Sequence, residues 1–167
     1  MGLKKPIIET QRLRLRPFRV SDTRDFFHYT GSRNINKYVS EARLSDDHGE
    51  CVHRIANVYS VCDFENDFYF AIEEKYSLKL IGAIFCTLVH DFETEFFIYD
   101  YYQNEGFMHE ALAAFIDFMP KGGALLFKVD DRNGPALAVI KDLVEIEDVT
   151  AQYEPADPHT LYYKRIL

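Results

Sequence analysis

Cysteine is scarce in this sequence, and its few copies form neither a disulfide framework nor a zinc motif. The chain has three cysteines in 167 residues, Cys51, Cys62 and Cys86. An odd count in a chain of this size is typical of reduced thiols in a cytosol. His48 and Cys51 can share one helix face with His53 close by, but no second pair of ligands accompanies them. We therefore expect no disulfide and no bound metal.

Long apolar runs and an excess of basic residues are lacking too. No run approaches the roughly 20 apolar residues needed to cross a bilayer, and residues 1–6 lack the apolar core of a signal peptide. The 19 Lys and Arg against 27 Asp and Glu leave a net charge of −8. A nucleic-acid surface needs Lys and Arg massed on one face. We therefore expect a cytoplasmic protein with no membrane contact and no nucleic-acid partner.

The one basic cluster lies near the start of the chain and comprises Arg12, Arg14, Arg16 and Arg19. The first three of these arginines alternate with two leucines, which predicts a strand with an apolar and a charged face. Pro17 borders this strand, as is common at the end of a strand or at the edge of a sheet. We expect the arginines to form the solvated face of an edge strand.

Apolar patterns predict a sheet with helices on both faces. Strands are expected near residues 12–16, 68–72, 80–89, 96–99, 124–129, 145–153 and 160–167. The run over residues 80–89 is so continuously apolar that both its faces should be covered. Helices are expected over residues 21–29, 45–61, 108–119 and 134–143, with a helical turn at residues 35–39. No repeat or linker divides the chain, so we expect one α/β (α+β) domain over residues 1–167.

Residues 102–112 join the aromatic strand directly to a helix. From Met108 onward, apolar residues at positions 111, 112, 115, 116 and 119 form one helix face. A strand, a short turn containing Gly106 and a helix direct the unpaired N–H groups of the first helical turn at one point, which suits an anion such as phosphate. The alternative is an ordinary connection with a solvated helix start, because one Gly in such a turn is a weak signal.

Several strings, in this order, resemble the GNAT acyltransferase superfamily, in particular its branch of ribosomal-protein N-terminal acetyltransferases. Residues 8–17, IETQRLRLRP, are similar to the opening strand of that branch. Gln103, Gly106 and Met108 fall on its Q/R-x-x-G-x-G/A coenzyme A loop, and Asn133 stands where the family has an Asn at the next helix start. The resemblance covers about the whole chain. It implies a mostly antiparallel sheet of about seven strands whose central pair splays apart.

The resemblance also implies an enzyme that transfers acetyl from acetyl-CoA to a primary amine by direct attack on the thioester. Its partners would be acetyl-CoA and an amine acceptor, and a homodimer is possible. Backbone groups of Phe97 and Ile98 would hold the pantetheine arm. The side chain of Asn133 would either bind the amide arm of the cofactor or simply cap its helix. Seven consecutive residues would hold the pyrophosphate through backbone amides: Gln103, Asn104, Glu105, Gly106, Phe107, Met108 and His109.

The sequence departs from the family in ways that bear on chemistry. Glu105 stands where relatives often have Lys or Arg, and Met108 replaces a Gly or Ala, although its place in the apolar stripe predicts that it points inward. Ala136 and Ile140 occupy the places of a Ser and a Tyr that protonate the leaving thiolate, and neither can donate a proton. Glu93 is the candidate general base, acting through a water. The alternative is a non-catalytic GNAT-like domain that binds an acyl-CoA or serves as an interaction domain.

A site poor in acid–base side chains favours an α-amine over a lysine as acceptor. Attack on a thioester needs a neutral amine. At pH 7 an α-amine of pKa about 8 is neutral roughly one time in ten, and a lysine of pKa about 10.4 about one time in 2,500.

Overall fold

A computed structural model describes residues 5–30, 38–39, 47–155 and 157–167. In this part of the chain the strands are β1 (Ile8–Glu9), β2 (Leu13–Pro17), β3 (Asp67–Glu74), β4 (Lys79–Leu88), β5 (Phe92–Ile98), β6 (Ala124–Asp130), β7 (Ile146–Asp148) and β8 (Thr160–Ile166). The α-helices are α1 (Thr23–Thr30), α2 (His48–Arg54), α3 (Phe107–Phe118) and α4 (Gly134–Lys141). None of the described helices is long and apolar enough to cross a membrane.

The strands form one sheet in the order β1-β2-β3-β4-β5-β6-β8-β7. Every neighbouring pair is antiparallel except β5 and β6, which are parallel and joined through α3. This confirms the predicted mixed, mostly antiparallel sheet. The sheet has eight strands where about seven were expected, because β1 contains only two residues and is too short to show a periodic pattern.

Two hydrophobic clusters cover the two faces of the sheet. On one face, α3 and α4 pack against alternate residues of the central strands, such as Phe70 and Ile84. On the other face, α1 and α2 pack against the residues between them, such as Ala71 and Phe85. The central strand β4 is buried over residues 80–86, as its continuous apolar run predicted, because it takes part in both clusters.

The helix predicted over residues 45–61 is present as α2 followed by a π-helical segment, Ile55–Tyr59. Asp47 begins it, because the side chain of this residue accepts a hydrogen bond from the backbone N–H of Glu50 at 2.7 Å. Residues 45–46 lie outside the described residues, and so does most of the turn predicted at residues 35–39.

Arg14 and Arg16 of β2 belong to an ion-pair network, and the assignment to the solvated face of an edge strand was wrong for the position of the strand and for Arg16, whereas Arg14 is partly exposed. The edge position is taken by β1, and Arg16 is only 3% exposed. Its guanidinium donates two hydrogen bonds of 2.8 Å to Asp22 and one of 2.7 Å to Glu73. Although burial alone would lower the pKa of Arg16, these two carboxylates raise it. Alternation along one strand cannot show that carboxylates from other elements will face it.

The central strands β5 and β6 separate after a short paired section. Residues 92–94 pair with residues 125–127. Beyond that point β5 stays with β4 as far as Ile98, and β6 stays with β8 as far as Asp130. The two strands therefore enclose a V-shaped gap inside the sheet, which is the splayed central pair that was predicted. The candidate site lies at this gap.

Candidate active site

A cavity of about 470 Å³ opens between the free part of β5, the start of α3 and the first turns of α4. Its size falls in the range of small-molecule and cofactor sites. Nine of the ten predicted cofactor-binding residues line it: Phe97, Ile98, Gln103, Asn104, Gly106, Phe107, Met108, His109 and Asn133. The tenth, Glu105, is exposed and does not line it. In the described part of the chain, no group of three His, Cys, Asp or Glu side chains is placed to hold a metal ion.

One wall of the cavity is an open backbone edge of β5. In an antiparallel pair, alternate residues turn their backbone N–H and C=O groups toward the partner strand. The N–H of Tyr99 donates to the carbonyl of Ile81 in β4 at 2.9 Å, so Phe97 also turns its backbone groups toward β4. The groups of Phe96 and Ile98 therefore face the gap, and the Ile98 carbonyl accepts a hydrogen bond from Gln103 Nε2 at 3.0 Å. The predicted pantetheine contact fits this geometry at Ile98 but not at Phe97, whose backbone groups face β4; Phe96, which was not among the predicted residues, faces the gap instead.

Gly82 allows the close approach of β4 and β5 beside this edge. A Cβ atom at Gly82 would lie 2.3 Å from the carbonyl oxygen of Phe97 and 2.9 Å from Ile98 Cδ1. Contacts this short with backbone are not tolerated, so only glycine fits here without moving β5. The sequence string Leu-Ile-Gly at residues 80–82 thus has a steric function at the point where β5 has left β6.

The opposite wall is the turn that leads into α3. Asn104 and Gly106 both have left-handed backbones, with φ of 63° and 77°. Gly106 is the N-cap of α3 and no side chain caps the helix, which leaves the N–H groups of residues 107–109 without intrahelical acceptors. Such groups, together with the helix dipole, are suited to an anion. Met108 is 7% exposed and packs into the core, as its place in the apolar stripe predicted.

The start of α4 completes the cavity. Asn133 is the N-cap of α4, and its Oδ1 accepts a hydrogen bond from the backbone N–H of Ala136 at 3.3 Å. The same residue lines the cavity, so capping and cofactor contact are compatible. His109 Nε2 lies 3.1 Å from Asp142 Oδ2, and this contact joins the start of α3 to the end of α4.

A smaller cavity of about 30 Å³ lies at the narrow end of the gap. Glu95, Ala136 and Ile140 help to line it. Glu93 lines neither cavity, because it lies on the section of β5 that is still paired with β6. Its side chain is exposed. Glu95 is on the same face of β5, two residues further into the gap. The sequence prediction missed it, although the period of two along the strand relates it to Glu93. Tyr38 and Val39 line both cavities, and no sequence signal pointed to them.

Residues 12–143 match the family model of the acetyltransferase (GNAT) domain. The chain belongs to the GNAT family. Among solved structures, the fold is similar to an acetyltransferase from Agrobacterium tumefaciens, with a TM-score of 0.77 and 18% identity over 100% of this chain and 98% of that one. It is also similar to RimL, the ribosomal L7/L12 α-N-protein acetyltransferase, in complex with coenzyme A, with a TM-score of 0.78 and 15% identity over 97% and 98% of the two chains.

A third similar structure is the microcin C7 self-immunity acetyltransferase MccE in complex with acetyl-CoA and AMP, with a TM-score of 0.75 and 14% identity over 95% and 94% of the two chains. No curated protein is significantly similar in sequence. At these identities the likeness to solved structures concerns the fold, and the family itself supports acetyl transfer as the general activity.

Proposed function

We propose that this GNAT protein transfers acetyl from acetyl-CoA to a primary amine, with an α-amine as the favoured acceptor. The observation that carries this proposal is the pairing of two features in one cavity. An open strand edge on β5 suits the amide-bearing pantetheine arm, because an extended ligand can add to a sheet edge through main-chain hydrogen bonds. The uncapped start of α3 suits a pyrophosphate. RimL and MccE, which share the fold, are solved with coenzyme A and acetyl-CoA.

Each part of the cofactor then has a place. The pantetheine arm lies along the edge formed by residues 96–98, and the backbone amides of residues 103–109 hold the pyrophosphate. Asn133, at the start of α4, donates its side-chain amino group to the amide arm while its oxygen caps the helix. The thioester then lies toward the narrow end of the gap, where the smaller cavity leaves room for a short acyl group.

The acceptor is an α-amine because the cavity offers little help with proton transfer. Ala136 and Ile140 replace the hydroxyl-bearing residues of relatives, and neither can protonate the leaving thiolate. Holding the acceptor neutral at pH 7 costs about 1.4 kcal/mol for an α-amine and about 4.6 kcal/mol for a lysine. The base is a carboxylate on one face of β5, acting through a water. Glu93 is the candidate from sequence, and Glu95 is the candidate that lines the smaller cavity.

Calorimetry with acetyl-CoA, followed by measurement of free thiol on adding a panel of amines, tests the proposal. We expect binding, and faster thiol release with peptides bearing a free N-terminus than with N-acetylated peptides that contain lysine. Binding without thiol release from any amine would favour a non-catalytic acyl-CoA-binding domain, which the replacements at positions 136 and 140 also fit. Absence of binding would overturn the cofactor assignment.

A substitution in the loop tests where the cofactor binds. Gly106→Trp puts a bulky side chain on a left-handed residue of the loop that lines the cavity and directs it at the guanidinium of Arg12, so it should distort the loop and abolish acetyl-CoA binding in a folded protein. Gly122→Trp is the matched control, because Gly122 is also left-handed, lies beyond the far end of α3 and has open space around it. Unchanged affinity in Gly106→Trp would show that the cofactor does not use this loop.

A further inference from the structure

The start of α3 is hydrogen-bonded to the connection between β1 and β2. Glu110, in the first turn of α3, accepts three hydrogen bonds from that connection. Oε1 accepts from Thr10 Oγ1 at 2.6 Å and from the backbone N–H of Arg12 at 2.8 Å, and Oε2 accepts from Arg12 Nε at 2.7 Å. Partial burial alone would raise the pKa of Glu110, but the hydrogen bonds from Thr10 and Arg12 hold that pKa below its usual range.

The rest of the Arg12 side chain contacts the loop itself. Its Nη1 donates to the carbonyl oxygen of Glu105 at 2.9 Å. Its guanidinium carbon lies 4.4 Å from the ring centroid of Phe107, in a cation–π contact. Its Nη2 would be 3.5 Å from a Cβ atom at Gly106. One guanidinium therefore contacts Glu105 and Phe107 and lies beside Gly106, while Arg12 itself does not line the cavity.

This contact fixes the direction of one loop amide. The peptide bond is planar and trans, so the carbonyl of Glu105 and the N–H of Gly106 point in opposite directions. Because Arg12 holds that carbonyl on its own side, the Gly106 N–H is directed to the other side, where Gly106 lines the cavity. Gly106 has a left-handed φ and no side chain, so its own conformational preference does little to hold this peptide in one orientation. A reversed peptide would present a carbonyl oxygen to the phosphates.

We propose that Arg12 is a positioning residue that holds the peptide between Glu105 and Gly106 with its N–H directed at the pyrophosphate of the cofactor. The inference deepens the proposed function, since it concerns the same cofactor site. Arg12 acts through the loop and does not touch the cofactor. Because Glu110 balances the positive charge of Arg12, Arg12 contributes to cofactor binding by ordering the loop and not by attracting the phosphates.

Arg12→Lys separates positioning from general stability. Lysine keeps a positive charge opposite Glu110. Its single ammonium group cannot donate to Glu110 and to the Glu105 carbonyl with the geometry of a guanidinium, and it cannot stack on Phe107. We expect the dissociation constant for coenzyme A and the KM for acetyl-CoA to rise about tenfold, with kcat changed less than about twofold and little change in thermal stability. Arg14→Lys is the matched control, because Arg14 lies two residues further along the chain, in β2, and is paired with Glu9 and Glu73 and not with the loop; the affinity of this variant should equal that of the wild type.

Unchanged coenzyme A affinity in Arg12→Lys would overturn the inference, and so would an equal loss of affinity in both variants. Hydrogen exchange of the protein without ligand supplies a second readout, in which amides of residues 103–109 should exchange faster in Arg12→Lys than in Arg14→Lys. Equal exchange in the two variants would also overturn it. If the wild type binds no coenzyme A, the proposed function fails, and the exchange measurement still decides whether Arg12 orders the loop.

Discussion

Gly82→Ala should damage both the stability and the cofactor affinity of this protein through a single added methyl group. The new Cβ would lie 2.3 Å from the carbonyl oxygen of Phe97, and that oxygen must retreat by about 0.7 Å to reach the 3.0 Å that real contacts respect. Overpacking of this kind costs about 1–3 kcal/mol. The retreat moves β5 away from β4 and into the gap, where the pantetheine arm is proposed to lie. A displacement on the order of 1 Å at a binding edge can reduce the rate about 100-fold.

Urea denaturation and calorimetry with coenzyme A measure the two effects of Gly82→Ala separately. We expect a loss of about 1–3 kcal/mol in the free energy of unfolding, together with weaker binding and a lower kcat/KM. Gly134→Ala is the control, because Gly134 begins α4 and a Cβ there meets nothing within 4 Å. Its stability should be unchanged or slightly raised. Wild-type stability and affinity in Gly82→Ala would refute the steric argument.

Three further substitutions test other parts of the structure. Glu95→Gln should lower kcat at least about tenfold while Glu93→Gln changes it little, as thiol release would show, and the reverse pattern would identify Glu93 as the base. Arg16→Met should reduce the free energy of unfolding in urea by about 3–5 kcal/mol, because it removes the ion-pair partner of the buried Asp22 carboxylate and leaves the buried Glu73 with Arg14 and the more distant Arg19; a loss under 1 kcal/mol would contradict this. Arg132 lowers the pKa of Asp130 from its ordinary value of 3.8 to about 2, so the stability that this carboxylate contributes is present above about pH 4 and is lost as pH falls toward 2. Asp130→Asn should flatten that part of the stability profile, and an unchanged profile would contradict the assignment.

The elements with a strong local pattern were predictable from sequence. The apolar run of β4 and the stripe of α3 report directly how each element packs, because burial sets the periodicity of apolar residues. The splayed strand pair was expected from the resemblance to the GNAT family, not from periodicity. Nine predicted cofactor residues line one cavity, because the loop that carries most of them connects a strand and a helix that are adjacent in the chain.

Features that depend on pairing between distant residues were not predictable from local pattern. The solvated position assigned to Arg16 was wrong, because Glu73, 57 positions later in the chain, pairs with it in the folded protein. β1 was missed because two residues show no period. The position of Glu95 in the gap depends on where β5 leaves β6, and no spacing in the sequence marks that point.

The parting of β5 from β6 creates a bare sheet edge in the middle of the molecule. Outer edges of sheets invite pairing with other chains, and short strands are one protection against it. Both outer edges of this sheet are short, with two residues in β1 and three in β7. The inner edge is flanked by β6 and by two helices, so another folded sheet cannot approach it, whereas a slender extended ligand can. The fold thereby turns backbone groups of β5 toward an internal gap, where the proposed cofactor would reach them more easily than the edge strand of a second copy.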